Sequence, residues 1–424
     1  MIEAPAGSSD PRPLRPGVAP LFVMIAAFST YFCMYAFRKP FTVGEFKELS
    51  LWGIDYKIVL VLAQVAGYTL SKFAGIKVVS EMPPHRRIAC ILAFIGVAEL
   101  ALILFGVVPH PYNFVFLFMN GLPLGMIWGL VFSFLEGRRQ TEFLGAGLCC
   151  SFIVASGFVK SVGSWLIEDC GVTEFWMPAL TGGIFAVPLL ISLAVLSRAA
   201  PPDQEDQRHR RERSPMSLED RRRFVLAFRP GLILLVVVYA LLNALRDFRD
   251  TFAKDLWVEL GVDDPAIFTM SEIPIAVVVM VTTALMMLIR DNRRAVWVNH
   301  GILIGGGATV VLTTAAYQAG ALAPIPWMIL VGLGMYLAYI AYHTFLWERL
   351  IATTRQACNV GFLMYICDAF GYLASVGVLL YKSFGAGDLS WLQFFIGASY
   401  SGGIAIIVLS AAAWLYFRHK LSAA

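Results

Sequence analysis

The chain has 424 residues, of which 58% are hydrophobic and 15% are charged, and its formal net charge is +4. A soluble domain averages about 25% charged residues and roughly 45–50% apolar ones, so this composition excludes an ordinary soluble protein. The apolar residues form blocks of about 20, each long enough to cross roughly 30 Å of hydrocarbon as a helix. The sequence therefore predicts an all-α membrane protein.

The chain begins with a segment that lacks an apolar core. Residues 1–17, MIEAPAGSSDPRPLRPG, are rich in Pro, Ser and Gly. Such a composition is typical of a disordered cytosolic tail and not of a signal peptide.

Twelve membrane helices are predicted after this tail. They span residues 20–42, 56–79, 88–108, 112–135, 143–167, 175–197, 227–252, 265–289, 295–319, 325–346, 358–382 and 391–417. Every second connection is basic, as in PPHRR and RDNRR, whereas the opposite loops, such as EDCGVTE, are acidic or nearly uncharged. By the positive-inside bias, both termini and the basic loops are cytoplasmic. We expect a multi-pass protein of the inner (plasma) membrane.

The longest connection divides the chain near its middle. Its run of basic residues could bind anionic lipid or nucleic acid, but a solvated linker is the preferred interpretation, and no nucleic-acid partner is expected. The predicted organisation is a tail, a six-helix bundle, a cytoplasmic basic linker, a second six-helix bundle and a short cytosolic tail, at residues 1–17, 18–197, 198–226, 227–418 and 419–424.

The two halves resemble each other. FRKPF at 37–41 matches FRDTF at 248–252, and SFLEGR at 133–138 matches TFLWER at 344–349 at the same offset of 211 residues. Parallel repeats of six helices, related by an axis along the membrane normal, describe the major facilitator architecture. In this repeat Arg38 is the counterpart of Arg249, so the two would approach one substrate from opposite halves. Arginine suits phosphate or carboxylate because its planar fork donates two parallel hydrogen bonds.

The segment YAFRKPF at 35–41 resembles the Y-x-x-R-K-x-F signature of the organophosphate:phosphate antiporters of the major facilitator superfamily. The resemblance implies that an arginine from the first helix and one from the seventh clamp the substrate phosphate. It places the first role on Arg38; in ALRDFRD, both Arg246 and Arg249 remain candidates for the second. The segment GYTLSKFAGIKVVSEM lacks the aspartate and the basic pair of the superfamily motif between helices 2 and 3, so the chain resembles a divergent branch.

Other polar residues inside the spans could line the site. Lys72 and Lys160 either attract an anion or pair with acids, and Tyr35 and Tyr365 could line a cavity. Four acids, which serve either in proton coupling or in ion pairs between the halves, are Asp247, Asp250, Glu272 and Asp368. A further alternative is that Arg246 and Asp250, at i and i+4, neutralise each other.

The sequence contains no nucleotide-binding loop, catalytic triad or metal-ligand spacing, so we expect no enzyme, no cofactor and no metal site. The predicted function is a monomeric secondary transporter that moves a small organic anion, either a phosphate ester or a carboxylate, by alternating access. It would work as an antiporter or a proton-coupled symporter, with protons or inorganic phosphate as the coupling ion. The alternative is a transporter-derived receptor that binds an anion without moving it.

Overall fold

The computed structural model describes residues 20–80, 82–135, 141–199, 218–354, 358 and 360–422. The N-terminal half contains α1 (Pro20–Met34), a hairpin of β1 (Ser50–Leu51) and β2 (Ile54–Asp55), α2 (Tyr56–Ser80), α3 (Arg87–Val107), α4 (Phe114–Phe132), α5 (Thr141–Glu168) and α6 (Met177–Leu196). The C-terminal half contains α7 (Leu218–Thr251), α8 (Ala253–Glu259), α9 (Ile267–Met287), α10 (Asn292–Gln318), α11 (Pro324–Ala341), α12 (Trp347–Thr354), α13 (Val360–Leu380) and α14 (Trp391–Ser422).

Within the described residues, ten helices are long and apolar enough to cross a membrane. The shorter apolar helix Leu21–Phe37 and the 28-residue α5 occupy two further predicted spans. The protein is therefore a multi-pass membrane protein, and its helices are consistent with the predicted twelve.

The first helix ends earlier than predicted. Instead of continuing to residue 42, α1 stops at Met34 and is followed by two 3-10 turns, Tyr35–Phe37 and Pro40–Val43. Proline has no N–H to donate, and in an α-helix its ring clashes with the carbonyl four residues earlier, so Pro40 prevents the α-helix from continuing. Arg38 and Lys39 lie between the two turns.

The seventh helix begins earlier than predicted. Residues 218–226, assigned to the linker, form the first part of α7. Phe228 has non-helical dihedral angles (φ −121°, ψ 15°) and precedes Pro230 by two residues, so α7 bends there. Residues 200–217 of the predicted linker, together with residues 1–19, lie outside the described residues.

Close helix contacts within the N-terminal half depend on glycines, which have no side chain. A Cβ on Gly67 of α2 would lie 2.2 Å from the carbonyl oxygen of Phe118 on α4, and one on Gly121 of α4 would lie 2.3 Å from the carbonyl oxygen of Gln64. Small residues of this kind let two membrane helices approach until their backbones touch.

The two halves meet mainly along two pairs of helices, α5 with α9 and α2 with α13. We call the end of the bundle that carries the β-hairpin and α8 the hairpin end, and the opposite end the linker end. The positive-inside prediction makes the linker end cytoplasmic.

Candidate functional site

Arg38 lies between the broken first helix and α2. Arg38 as a whole is 6% exposed, and its guanidinium carbon lies 3.8 Å from the centre of the Tyr68 ring. The backbone carbonyl of Arg38 accepts a hydrogen bond of 2.9 Å from Gln64 Nε2, which fixes the segment to α2. Among the described residues, Nε of Arg38 has no hydrogen-bond partner and the guanidinium has no salt bridge. A buried guanidinium stacked on an aromatic face, with donors unused, is suited to an anionic ligand.

Arg246 on α7 has a similar environment. Its guanidinium carbon lies 4.3 Å from the centre of the Tyr339 ring and 6.0 Å from that of Phe152, which comes from the other half. It donates one hydrogen bond of 2.9 Å to Asn243 Oδ1, and its Nε is buried without a partner in the part of the chain that the structure describes. The alternative that Arg246 and Asp250 neutralise each other is not seen: Asp250 pairs with two lysines and forms no salt bridge with Arg246.

Arg249, the repeat counterpart of Arg38, has a carboxylate partner. It donates a hydrogen bond of 2.7 Å to Glu272 Oε1 and one of 3.1 Å to the carbonyl oxygen of Met328. The side chains of Arg249 and Glu272 are 4% and 10% exposed, so this is a buried ion pair within the C-terminal half. Breaking such a pair is strongly destabilising. Of the two predicted candidates on the seventh helix, Arg246 is thus the one without an acidic partner.

Asp250 joins the two halves. Its Oδ2 lies 2.5 Å from Lys39 Nζ and its Oδ1 lies 2.6 Å from Lys160 Nζ. Lys39 also lies 3.7 Å from Asp247. Lys160 is therefore a partner of an acid and not a free cation. A small pocket next to this group is lined by residues including Lys160, Arg249, Asp250 and Glu272.

Asp368 joins the halves nearer the linker end. Its Oδ2 lies 3.6 Å from Lys72 Nζ on α2, and its Oδ1 accepts a hydrogen bond of 2.6 Å from Tyr239. The same Tyr239 hydroxyl lies 3.1 Å from Nε2 of His343. Lys72 and Asp368 thus form the salt bridge that the sequence offered as the alternative to substrate binding and proton coupling.

Tyrosines surround the two arginines. Tyr35 is buried, and its phenol interacts electrostatically with both Arg38 and Arg246. The side chain of Tyr365 lies outside the described residues. Sequence reasoning missed several residues of this lining, namely Tyr68, Phe152, Tyr239, Tyr336, Tyr339 and Tyr372.

A signal for two of these tyrosines was present in the sequence. Tyr68 stands four residues before Lys72, and Tyr372 stands four residues after Asp368. Residues four apart share one face of a helix. Each tyrosine therefore had to face the same way as a predicted charged residue, and the rings of Tyr68 and Tyr372 do meet across the halves, with centroids 5.2 Å apart.

We call Arg38, Tyr68, Lys72, Arg246, Tyr339, Asp368 and Tyr372 the central cluster. It contains three cations and one carboxylate. By contrast, Lys39, Lys160 and Arg249 are matched by Asp247, Asp250 and Glu272. Of the six described cations just named, Arg38 and Arg246 are the two that form no salt bridge, and both belong to the central cluster, at the interface of the two halves.

Further ion pairs cross the interface at the hairpin end. Lys57 of α2 lies 2.7 Å from Asp255 of α8, and Lys254 of α8 lies 2.7 Å from Glu168 of α5. Lys254 also lies 2.8 Å from Asp263. Burial lowers the pKa of Lys254, but its hydrogen bonds to Asp263 and Glu168 outweigh that effect and raise the pKa overall. These pairs hold the two halves together at the hairpin end.

Within the described residues, no group of three or more His, Cys, Asp or Glu side chains could hold a metal ion.

Known structures of similar shape are transporters. A bacterial homologue of the human drug peptide transporters PepT1 and PepT2 superposes with a TM-score of 0.61 at 12% identity, covering 95% of this chain and 100% of its own. The D-xylose-proton symporter superposes with a TM-score of 0.61 at 14% identity, covering 93% of this chain and 96% of its own. Nucleoside transporter NupG superposes with a TM-score of 0.60 at 14% identity, covering 94% of this chain and 99% of its own. This likeness confirms the predicted major facilitator fold, and the described helices are consistent with two six-helix bundles.

At the level of sequence, no curated protein matches this one. The model of one family of unknown function, DUF5690, matches residues 40–420, almost the whole described chain. The protein therefore belongs to the DUF5690 family.

Proposed function

We propose that this protein is a secondary transporter that moves a small organic anion by alternating access between its two halves. The observation that carries the proposal is the pair of buried arginines, Arg38 and Arg246, which come from opposite halves and form no salt bridge with any described residue. Asp247, which already lies beside Lys39, attracts both only from beyond salt-bridge distance.

The charge balance supports an anion. Keeping an unpaired cation inside a membrane protein is costly, and such residues mark substrate or ion pathways. The central cluster has two more cations than acids. A ligand with one or two negative charges would neutralise this excess without breaking an existing ion pair.

The donor geometry supports a phosphate ester or a carboxylate. Both groups accept the parallel hydrogen bonds of a guanidinium fork. The tyrosine rings around the arginines offer hydroxyls and aromatic faces for the organic part of the ligand. Arg38 and Arg246 then replace the pair Arg38 and Arg249 that the repeat suggested.

The interface supports alternating access. Ion pairs at the hairpin end join the two halves, as between Lys57 and Asp255. These pairs would separate when the halves rock and open the central cluster to that side. Because the linker end is predicted to be cytoplasmic, the described state would be closed toward the outside.

A ligand screen followed by an exchange assay tests the proposal. The purified protein is heated with inorganic phosphate, phosphate monoesters, carboxylates, and neutral sugars and nucleosides as controls. A ligand at 100 times its Kd stabilises the folded state by about 2.7 kcal/mol, so we expect anions to raise the melting temperature. Stabilisation by neutral compounds alone would overturn the anion assignment.

The anion that stabilises most is then used in proteoliposomes. We expect uptake of its labelled form into vesicles loaded with the unlabelled anion. Binding without exchange would refute transport and leave the receptor alternative.

A further inference from the structure

We propose that Glu99 on α3 is a proton-binding site that controls the position of Arg38. Its role in coupling rests on the proposed function, whereas proton binding at this residue does not. The proposal differs from the sequence prediction, which gave the proton to Asp368 or Glu272.

Glu99 differs from the other membrane acids in having no cation beside it. Among the described side chains inside the spans, Asp247, Asp250, Glu272 and Asp368 each lie within 4.0 Å of a lysine or arginine nitrogen. Glu99 forms no salt bridge, and its Oε2 is buried without a hydrogen-bond partner in the described part of the chain. An ionised carboxylate in such a place is expensive, whereas a protonated one is tolerated.

The elements packed against Glu99 supply no opposite charge. The spans of α4 and α6, residues 114–132 and 177–196, contain no titratable side chain. On its own element, Arg87 and Cys90 lie at least nine residues away, as do His85 and Arg86 in the preceding turn, which is about 13 Å or more along a helix.

The broken first helix is the remaining neighbour, and its charged and titratable groups are otherwise engaged. Arg38 stacks on Tyr68. Lys39 pairs with Asp250 and Asp247. The Tyr35 ring packs edge-on against that of Tyr31.

The carboxyl group is fitted into a gap left by a glycine. A Cβ on Gly182 of α6 would lie 2.3 Å from Oε2 of Glu99 and 3.0 Å from Cδ1 of Phe37. The carboxyl and the Phe37 ring therefore touch the same small patch of α6. Glu99 as a whole is only partly buried, but its Oε2 is enclosed at this patch. Hydrating that oxygen would require α3 and α6 to separate beside Phe37, the residue before Arg38.

A chain of hydrogen bonds joins this patch to Arg38. Asn120 Nδ2 donates a hydrogen bond of 3.1 Å to the carbonyl oxygen of Ala98, the residue before Glu99. It donates another, of 2.9 Å, to the carbonyl oxygen of Phe37. Asn120 Oδ1 accepts a hydrogen bond of 2.9 Å from Gln64 Nε2, and the same nitrogen donates a hydrogen bond to the carbonyl oxygen of Arg38. A movement of α3 that hydrates Glu99 would thus displace the segment that holds Arg38. Protonated Glu99 favours the anion-binding position, and by linkage the anion favours protonation.

Infrared difference spectroscopy tests proton binding without any ligand. Spectra of the reconstituted protein are compared between about pH 5 and about pH 9, and the carbonyl-stretch band of protonated carboxylic acids is followed. We expect a band that disappears at high pH in wild type and in Glu272→Gln, and that is absent in Glu99→Gln. If Glu99→Gln retains the whole band, the assignment is wrong.

Chemical labelling provides a test in the wild-type chain, in case the variant does not fold. A hydrophobic carbodiimide reacts with a protonated carboxyl: the acid oxygen bonds to the central carbon, the proton moves to a nitrogen, and no group leaves. We expect mass spectrometry to find the adduct on Glu99, with a yield that falls as pH rises. Labelling at Glu272 or Asp368 in place of Glu99 would overturn the proposal.

The link to Arg38 is tested with sulfate, whose charge is constant over this pH range. We expect wild type to bind sulfate at least threefold more weakly at the high pH than at the low pH, and Glu99→Gln to bind it equally at both. An unchanged pH dependence in the variant would refute the link. If neither protein binds sulfate at either pH, the link has no basis, whereas the infrared result still decides proton binding.

Discussion

Replacing Arg38 by lysine separates ligand binding from folding. The guanidinium of Arg38 has no acidic partner among the described residues, so its main contact in the free protein is the stacking on Tyr68 at 3.8 Å. A cation–π contact contributes roughly 0.5–2 kcal/mol, and lysine retains part of it. We therefore expect Arg38→Lys to lower the stability of the ligand-free protein by less than about 2 kcal/mol.

Binding should fall by more. Lysine keeps the charge but cannot donate two parallel hydrogen bonds to one phosphate or carboxylate. Losing one charge-assisted hydrogen bond costs about 1.5–3 kcal/mol, which raises Kd roughly 10- to 150-fold, since about 1.4 kcal/mol corresponds to tenfold. Isothermal titration of the purified variant with the anion found in the ligand screen measures this change.

Arg249 provides the matched control. Arg249→Met leaves the buried Glu272 carboxylate without its partner at 2.7 Å, and breaking a buried pair costs about 3–5 kcal/mol. We expect this variant to lose stability while its folded fraction binds the anion nearly normally. Wild-type affinity in Arg38→Lys would refute the role of Arg38, and a larger loss of affinity in Arg249→Met would return the site to the pair suggested by the repeat.

Two further predictions concern the hairpin end. A Cβ on Gly157 of α5 would lie 2.2 Å from the backbone oxygen of Phe268 on α9, so Gly157→Ala should force the halves apart there and cost about 1–3 kcal/mol; thermal unfolding and spin-label distances between α5 and α9 measure this. The control is Gly96→Ala on α3, where no atom lies within 4 Å of the new Cβ and stability should be kept or rise. The folded-state pKa of Lys254 is raised, so its contribution to stability is complete below the unfolded value of about 10.4 and is lost as pH rises through the folded value. The melting temperature of wild type should therefore exceed that of Lys254→Gln at pH 8, and the difference should shrink above about pH 10; a difference independent of pH would contradict the ion-pair explanation.

The fold was predictable because membrane helices are encoded by length and hydropathy. The predicted spans fall on the observed helices, and both repeat segments lie where a helix is broken. FRKPF spans the junction of the two 3-10 turns after α1, and FRDTF ends at Phe252, the residue between the end of α7 and the start of α8. The positions of the breaks were not predicted, since hydropathy does not distinguish a helix from a turn inside an apolar run.

The site was predictable only in part, because the identity of a partner depends on packing. The intramembrane cations and acids were found from their cost in lipid, but sequence could not show which of them pair. The internal repeat favoured Arg249 as the second substrate-binding arginine. No pattern in the sequence indicated that Arg249 pairs with Glu272 instead. Lys39 directly follows Arg38, and on a continuous helix the two side chains would point about 100° apart, but the helix has already ended at Met34.

The contact between Lys39 and Asp250 has a consequence for the origin of the chain. The two residues occupy the same position of the repeat, 211 residues apart, yet they touch. A residue can touch its own counterpart only where the pseudo-twofold axis passes. In a dimer of two identical halves, this position would have placed like charges against each other.

The same polarity recurs in most of the described pairs between the halves, with Lys254–Glu168 as the exception. The lysine comes from the N-terminal half and the aspartate from the C-terminal half in the pairs Lys39–Asp250, Lys57–Asp255, Lys72–Asp368 and Lys160–Asp250. The halves are therefore complementary to each other and not to themselves. By the offset of 211 residues, a chimera built from two N-terminal halves would place Lys39 against Lys39 and Lys160 against Lys39, and would place Lys57 and Lys72 against Gly44 and Gly157, without an acid. The two halves expressed as separate chains keep these complementary charges.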